Sequence, residues 1–358
     1  MTSLDDLPIR DDLRGQSPYG APQKPARIAL NVNENTHPIP EEVARDIVES
    51  LAGAILTINR YPDREFTHLR EGLADYLGHG FTRENLWAAN GSNEVLQQLF
   101  QAFGGPGRSV LIFPPTYSMY PILASGTGTR VIRAERDADY GISPETVTRW
   151  IEQEKPDLVI LCAPNNPTGT PLPIGTIEAA YAATTGMLIV DEAYAEFMPG
   201  DAPSAITLLE GRERLVVSRT MSKAFAFAGA RVGYLAADPA VVDALRLVRL
   251  PYHLSALTQA AASAALRHTP AMLAMVDDIR EQRDRIIDEL PALGFQPLPS
   301  WTNFVLFGGV EDPSATFEAL LEHDVIIRDV GIPGHLRVSA GTRAETTEFL
   351  RALGTIAS

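Results

Sequence analysis

Six short strand-like stretches, most of them continuous apolar runs, recur along the first two-thirds of the chain, separated by turns and helix-like stretches. They lie at Ser109–Phe113, Thr129–Ala134, Leu158–Ala163, Met187–Val190, Leu215–Ser218 and Val232–Ala236. Unbroken apolarity, as opposed to strict alternation, means burial on both faces. Such strands alternating with helices predict an α/β fold, with a mostly parallel sheet between two helical layers. Ligands of these sheets bind at the carboxyl ends of the strands. The polar residues out of place in such a pattern fall at those ends: Tyr117, Asn166, Asp191, Tyr194 and Lys223. Scattered surface polarity would not choose one end of every strand.

The rest of the chain frames this block. Residues 1 to about 30 carry Pro8, Pro18, Pro22 and Pro25 and read as an arm lying over other structure. Pro38 and Pro40 open a helix from Glu41 to about Leu51, and a second runs from about Glu65 to Leu77. Helices dominate from about Leu254 to Leu290. After Pro291 a smaller α+β unit follows, with strands at Asn303–Phe307, Val325–Arg328 and Leu336–Ser339 and helices at 314–323 and from about Arg343. The expected division is an arm over 1–30 returning to the smaller unit, a large domain over 31–260 and a small C-terminal domain over 261–358.

A net charge of −15 argues against a nucleic-acid or anionic-membrane partner, though local arginines still allow an anionic small molecule. Cys162 is the single cysteine. It sits in an apolar run and reads as a small core residue, and a chain without an internal disulfide fits a reducing compartment. The acidic N-terminus is no secretory signal. No stretch reaches the roughly 18–20 apolar residues of a membrane span. The expectation is a soluble, cytoplasmic protein. The seven histidines show no metal-ligand spacing.

Lys223 follows the buried run Leu215–Val217. A lysine desolvated there has a lowered pKa and becomes a nucleophilic amine suited to Schiff-base chemistry. Ser222 before it and Arg231 after it suit a phosphate. Together they suggest a phosphate-bearing aldehyde cofactor, with pyridoxal 5'-phosphate as the candidate; otherwise Lys223 simply reaches to solvent. The ring nitrogen of that cofactor must be protonated to draw electrons, so a buried carboxylate must face it. Asp191 is placed for this, or is a helix N-cap. Asn166 and Tyr194 suit the phenolic oxygen, or are a turn residue and a half-buried aromatic. Gly91-Ser92-Asn93 opens a helix whose first N–H groups and positive end suit a phosphate. Tyr117 suits stacking on the ring, or packs beside Pro114 and Pro115.

The order of motifs also carries a family likeness. Asn33-Glu34-Asn35, Arg60-Tyr61-Pro62-Asp63, Gly91-Ser92-Asn93-Glu94 and Pro115-Thr116-Tyr117-Ser118-Met119-Tyr120 come first. Pro164-Asn165-Asn166-Pro167-Thr168-Gly169, Asp191-Glu192-Ala193-Tyr194, Arg219-Thr220-Met221-Ser222-Lys223-Ala224-Phe225, Asn303-Phe304-Val305 and Leu336-Arg337-Val338-Ser339 follow. From about residue 7 to 350 the chain resembles the histidinol-phosphate aminotransferases, which are class II, fold-type I pyridoxal-phosphate transaminases. Leu250–Ser255 and Asp329–Ile332 are similar to the actinobacterial branch. The chain departs from the common pattern at Thr36-His37 and at Cys162-Ala163.

The resemblance implies a mostly parallel seven-stranded sheet plus a smaller α+β domain, and it implies roles. Lys223 bonds the cofactor and then moves a proton, Asp191 pairs with the pyridine nitrogen, and Asn166 and Tyr194 contact the phenolic oxygen. Tyr117 stacks on the ring. Ser92, Asn93, Ser222 and Arg231 hold the phosphate, joined by Tyr61 from a neighbouring subunit, which implies a homodimer with shared active sites. Arg337 holds the acidic end of the substrate, a carboxylate for glutamate and a phosphate for histidinol phosphate, and Arg328 and Tyr19 add to the phosphate contacts. The implied reaction, a step of histidine biosynthesis, is transamination between L-histidinol phosphate and 2-oxoglutarate, giving imidazole-acetol phosphate and L-glutamate. An aromatic (phenylalanine) aminotransferase would share every cofactor motif. A decarboxylase of a phosphorylated amino acid could share the fold. A non-catalytic relative would be expected to lack Lys223.

Overall fold

The computed structural model describes residues 3–15, 17, 18, 20 and 22–357. In chain order the strands are β1 (Ile28–Ala29), β2 (Leu86–Asn90), β3 (Ser109–Ile112), β4 (Arg130–Arg133), β5 (Leu158–Cys162), β6 (Met187–Asp191), β7 (Leu215–Thr220), β8 (Val232–Ala237), β9 (Gln296–Pro297), β10 (Phe304–Gly308), β11 (Val325–Ile326) and β12 (Leu336–Ser339). The helices are α1 (Glu41–Ile55), α2 (Thr67–Leu77), α3 (Ser92–Phe103), α4 (Met119–Thr127), α5 (Pro144–Glu154), α6 (Ile174–Ala183), α7 (Pro239–Val248), α8 (Ala256–Arg267), α9 (Thr269–Glu289), α10 (Pro313–Glu322) and α11 (Arg343–Ala357).

One seven-stranded sheet runs in the order β2-β8-β7-β6-β5-β3-β4. Every pair between β7 and β4 is parallel, and β8 alone runs against its neighbours β2 and β7. The central strands β5, β7 and β8 are buried along their whole length, as their unbroken apolar runs predict. At the edge, β4 exposes Arg130 and Arg133, charges that block pairing with another chain. The six strand-like stretches are six of these strands. The seventh, β2, carries little strand signal in the sequence, because Leu-Trp-Ala-Ala-Asn is short and its alanines are weak strand formers. Burial against β8 and α3 holds it in place.

The reversal of β8 matters for the site. Strands β3, β5, β6 and β7 end at one edge of the sheet, and β2 ends there too. Because β8 runs the other way, it begins at that edge. Ser92, Asp191, Lys223 and Arg231 therefore meet there from four different strands.

A second, smaller layer covers this edge. β10 pairs antiparallel with β9 and β12. β1 pairs parallel with β11, and Arg328 and Arg337 face each other in an antiparallel bridge. The N-terminal segment thus hydrogen-bonds to the C-terminal strands, and Ser339 N–H donates to the Leu30 carbonyl (2.9 Å). Lys24 pairs with Glu318 on α10 (2.6 Å), whereas Arg10 donates to the Ser125 carbonyl on α4 (2.8 Å). The arm touches both layers.

Candidate active site

Between the sheet edge and the smaller layer lies a cavity of about 380 Å³. Eleven of the residues singled out from the sequence line it: Ser92, Asn93, Tyr117, Asn166, Asp191, Tyr194, Ser222, Lys223, Arg231, Arg328 and Arg337. Tyr61 does not. It is exposed on the surface and stacks on Tyr252, with ring centroids 4.4 Å apart. Tyr19 lies outside the described residues.

Lys223 follows β7 by three residues, and its Nζ donates to the Val32 carbonyl (3.1 Å). Burial, then the positive charge of Arg337, push its pKa down to about 8, with Glu34 opposing. About a tenth of such an amine is neutral at pH 7, several hundred times the fraction for an ordinary lysine. Asp191, the last residue of β6, is buried and accepts hydrogen bonds from Tyr120 (2.8 Å) and Ser218 (2.9 Å). Burial raises its pKa above the usual carboxylate range, and the two hydroxyls pull it back. Tyr194 accepts from Asn33 (2.9 Å) and Asn166 (3.3 Å), and burial raises its phenol. Tyr117 donates to Asn93 (3.1 Å).

The phosphate-sized end of the cavity is built from close backbone approaches. Gly91, the N-cap of α3, has φ +84°, and a Cβ there would sit 2.6 Å from Arg231 Nη2. A Cβ on Gly233 would sit 2.1 Å from the Ser92 nitrogen. Only glycines let the start of α3 and the Arg231 guanidinium crowd together, which concentrates N–H groups and positive charge at one spot. Ser222 and Thr220 border it, their hydroxyls 3.0 Å apart.

At the other end Arg328 and Arg337 stand opposite one another across the β bridge. Arg337 donates to Asn166 Oδ1 (2.6 Å) and the Asn31 carbonyl (3.0 Å), and its guanidinium lies over Phe304. Nη1 of Arg328 is buried and, among the described residues, has no hydrogen-bond partner. Two like charges side by side destabilise one another unless an anion sits between them.

Sequence reasoning missed part of this wall. Asn31, Asn33 and Asn35 are all buried, and Asn33 adopts φ +58° to bridge Tyr194 and Ser339. Three asparagines at alternate positions were the available signal. Tyr120 and Ser218, which hold Asp191, were hidden inside apolar patterns. Cys162, read as a small core residue, is buried and lines the cavity. Among the described residues, no group of three or more acidic, histidine or cysteine side chains could hold a metal ion.

These donors fit pyridoxal phosphate. A half-buried lysine with a lowered pKa suits an aldehyde. Among the described residues the buried Asp191 carboxylate is hydrogen-bonded to two neutral hydroxyls, and a pyridinium would supply it with a cation. The glycine-lined start of α3 beside Arg231 suits a phosphate.

Comparison with known proteins agrees. Residues 26–353 match the family described as aminotransferase class I and II. The chain is 61% identical over 353 residues to the histidinol-phosphate aminotransferase of Paenarthrobacter aurescens, covering 98% of this chain and 95% of that one. It is 54% identical to that of Thermobifida fusca, covering 98% and 96%. Among solved structures, the histidinol-phosphate aminotransferase of Sinorhizobium meliloti in complex with pyridoxal-5'-phosphate superimposes with a TM-score of 0.83 at 26% identity, over 93% of this chain and 92% of that one. The fold is accordingly that of the fold-type I aminotransferases. The chain belongs to the class I and II aminotransferases, and within them to the histidinol-phosphate aminotransferase family.

Proposed function

We propose that this protein is a pyridoxal-phosphate-dependent aminotransferase that transfers the amino group of L-histidinol phosphate to 2-oxoglutarate, in histidine biosynthesis. The single observation that carries the substrate is the pair Arg328 and Arg337, facing each other across a β bridge in the same cavity as Lys223. A paired guanidinium site accepts a carboxylate or a phosphate, so it serves glutamate and histidinol phosphate in turn. A donor ending in a carboxylate needs only Arg337. Nη1 of Arg328, without a hydrogen-bond partner among the described residues, favours the phosphate over a phenylalanine-type donor.

When bound, the cofactor withdraws electrons from the substrate Cα and so makes its proton labile. The residues of this chain do the rest. Lys223 Nζ would hold the cofactor through its aldehyde carbon, with loss of water, and would move a proton to and from the substrate Cα. Asp191 would pair with the ring nitrogen. Asn166 and Tyr194, already hydrogen-bonded to one another, would hold the phenolic oxygen. Tyr117 would hold the ring. Ser92, Asn93, Ser222 and Arg231 hold the phosphate, and Tyr61 reaches it from a second copy of the chain in a homodimer. The smaller layer closes the cavity from above with Arg328 and Arg337, and Tyr19 adds to the substrate phosphate. The chain divides into an arm over 1–30, a cofactor-binding unit over 31–260 and a small unit over 261–358. The pairing of β1 with β11 supports the arm's place. No described helix is long and apolar enough to cross a membrane; the reading is of a cytoplasmic enzyme with small-molecule substrates.

Replacing Arg328 tests the substrate. Arg328→Ala removes a charge-assisted contact to phosphate of about 1.5–3 kcal/mol, so kcat/KM for histidinol phosphate should fall roughly 10- to 100-fold. The loss for phenylalanine should be several-fold smaller. Equal losses would remove the phosphate assignment.

A further inference from the structure

Asp191 is 2% exposed and yet lines the cavity. Its neighbours come from three elements, β5, β7 and α4. Strand register sets Cys162 on β5 and Ser218 on β7 level with Asp191 on β6, so the three side chains share one face of the sheet. Ser218 donates to Oδ1 (2.9 Å). Tyr120, from the first turn of α4, donates to Oδ2 (2.8 Å). Each carboxylate oxygen thus has one fixed donor.

The titratable and charged groups around Asp191 are few. They are the Tyr120 phenol on α4, the Cys162 thiol on β5 and, next in the chain, the Glu192 carboxylate. Glu192 is engaged by Arg219 (2.8 Å). Burial pushes the phenol up, and pushes the thiol up to about 12, so both keep their protons at neutral pH. The negative charge of Glu192 works against ionisation of Asp191. The Arg136 guanidinium acts on the Tyr120 phenol and the Cys162 thiol; among the described residues, the two hydroxyls are what offset the charge at Asp191 itself. A hydrogen bond to a charged acceptor shifts such an equilibrium by roughly tenfold or more.

Tyr120 is more than core filler on this geometry. Its ring is fully buried and packs edge-on against Tyr117, with centroids 5.5 Å apart. Phenylalanine would keep that packing and remove only the hydroxyl. One short segment, Tyr117 to Tyr120, therefore supplies both the ring that faces the cavity and the donor that fixes the acid behind it.

We propose that Tyr120 is a positioning residue: its phenol, together with Ser218, keeps the Asp191 carboxylate ionised and turned towards the ring nitrogen of the bound cofactor. This rests on the reading of Asp191 as the partner of that nitrogen. The test uses the full-length protein as wild type, Tyr120→Phe, Ser218→Ala and Asp191→Asn. Two readouts are independent of turnover: the dissociation constant of the apoprotein for pyridoxal phosphate across the acid range, and the pH dependence of the bound cofactor's absorbance. Steady-state kcat and KM complete the set. Tyr120→Phe should weaken cofactor affinity about tenfold and move the acid limb of binding up by about one pH unit. It should lower kcat while leaving KM for the amino donor within about twofold. An affinity within about threefold of wild type, or an unmoved acid limb, overturns the proposal, since a purely structural tyrosine would not move that limb. If Tyr120→Phe does not fold, Ser218→Ala is read against the same thresholds. If Asp191→Asn leaves affinity and absorbance unchanged, the reading of Asp191 itself falls. If Asp191→Asn weakens both and Tyr120→Phe neither, only the role of Tyr120 falls.

Discussion

At the scale of single residues the decisive group is Lys223. Its pKa of about 8 has a definite sign: burial and Arg337 disfavour the ammonium, so the neutral amine appears at lower pH than for a free lysine. The rate at which the apoprotein captures pyridoxal phosphate should therefore rise with pH through about 8 and then level off. A rate still climbing through the ordinary lysine range, above about pH 10, would contradict this environment. Lys223→Ala should abolish turnover and the visible absorbance of covalently held cofactor. Lys223 and Asp191 were legible in the sequence because a charge ending an apolar strand is conspicuous. Tyr120 and Ser218 were not, because a tyrosine in an apolar helix and a serine in a strand look like core. Asn33 was not because its work depends on a backbone turn that brings it to Tyr194 from 161 residues away.

At the scale of elements, the ends of β6 and β7 carry two polar pairs on opposite faces of the sheet. Ser218 binds Asp191 on the cavity side, and Arg219 binds Glu192 on the other. The second pair is buried and well satisfied. Glu192 also accepts from the Ala205 N–H (2.6 Å) and from Ser204 Oγ (2.8 Å). Glu192→Ala leaves the buried Arg219 only its longer ion pair with Glu196 (3.7 Å) and should destabilise the protein by about 3 kcal/mol. Urea unfolding of the cofactor-loaded protein checks it; a loss under about 1 kcal/mol would mean that water reaches Arg219. The central strands were legible because burial on both faces demands unbroken apolar runs. The edge strand β2 was not, because its alanines carry little strand signal and its place is fixed by packing against β8. The two-residue strands β1 and β11 depend on pairing between segments about 300 residues apart, which no local pattern reveals.

At the scale of the whole molecule, one chain leaves apolar surface in the open around Tyr61. Leu56, Ile58, Leu247 and Leu250 are all more than half exposed, and the Tyr61–Tyr252 stack ties their two segments together. Such a patch suits a second copy of the chain. Sedimentation should give twice the 38.9 kDa of one chain. Tyr61→Phe should weaken cofactor binding about tenfold, the effect of one hydrogen bond to a phosphate. A monomer with full cofactor affinity would rule out a shared site. The amino donor is decided by steady-state kcat/KM for histidinol phosphate, phenylalanine and tyrosine, each with 2-oxoglutarate as acceptor. Histidinol phosphate should give the highest value, by at least about tenfold, from the extra guanidinium contact to phosphate. A phenylalanine value equal to or above it would mean that Arg328 does not select a phosphate.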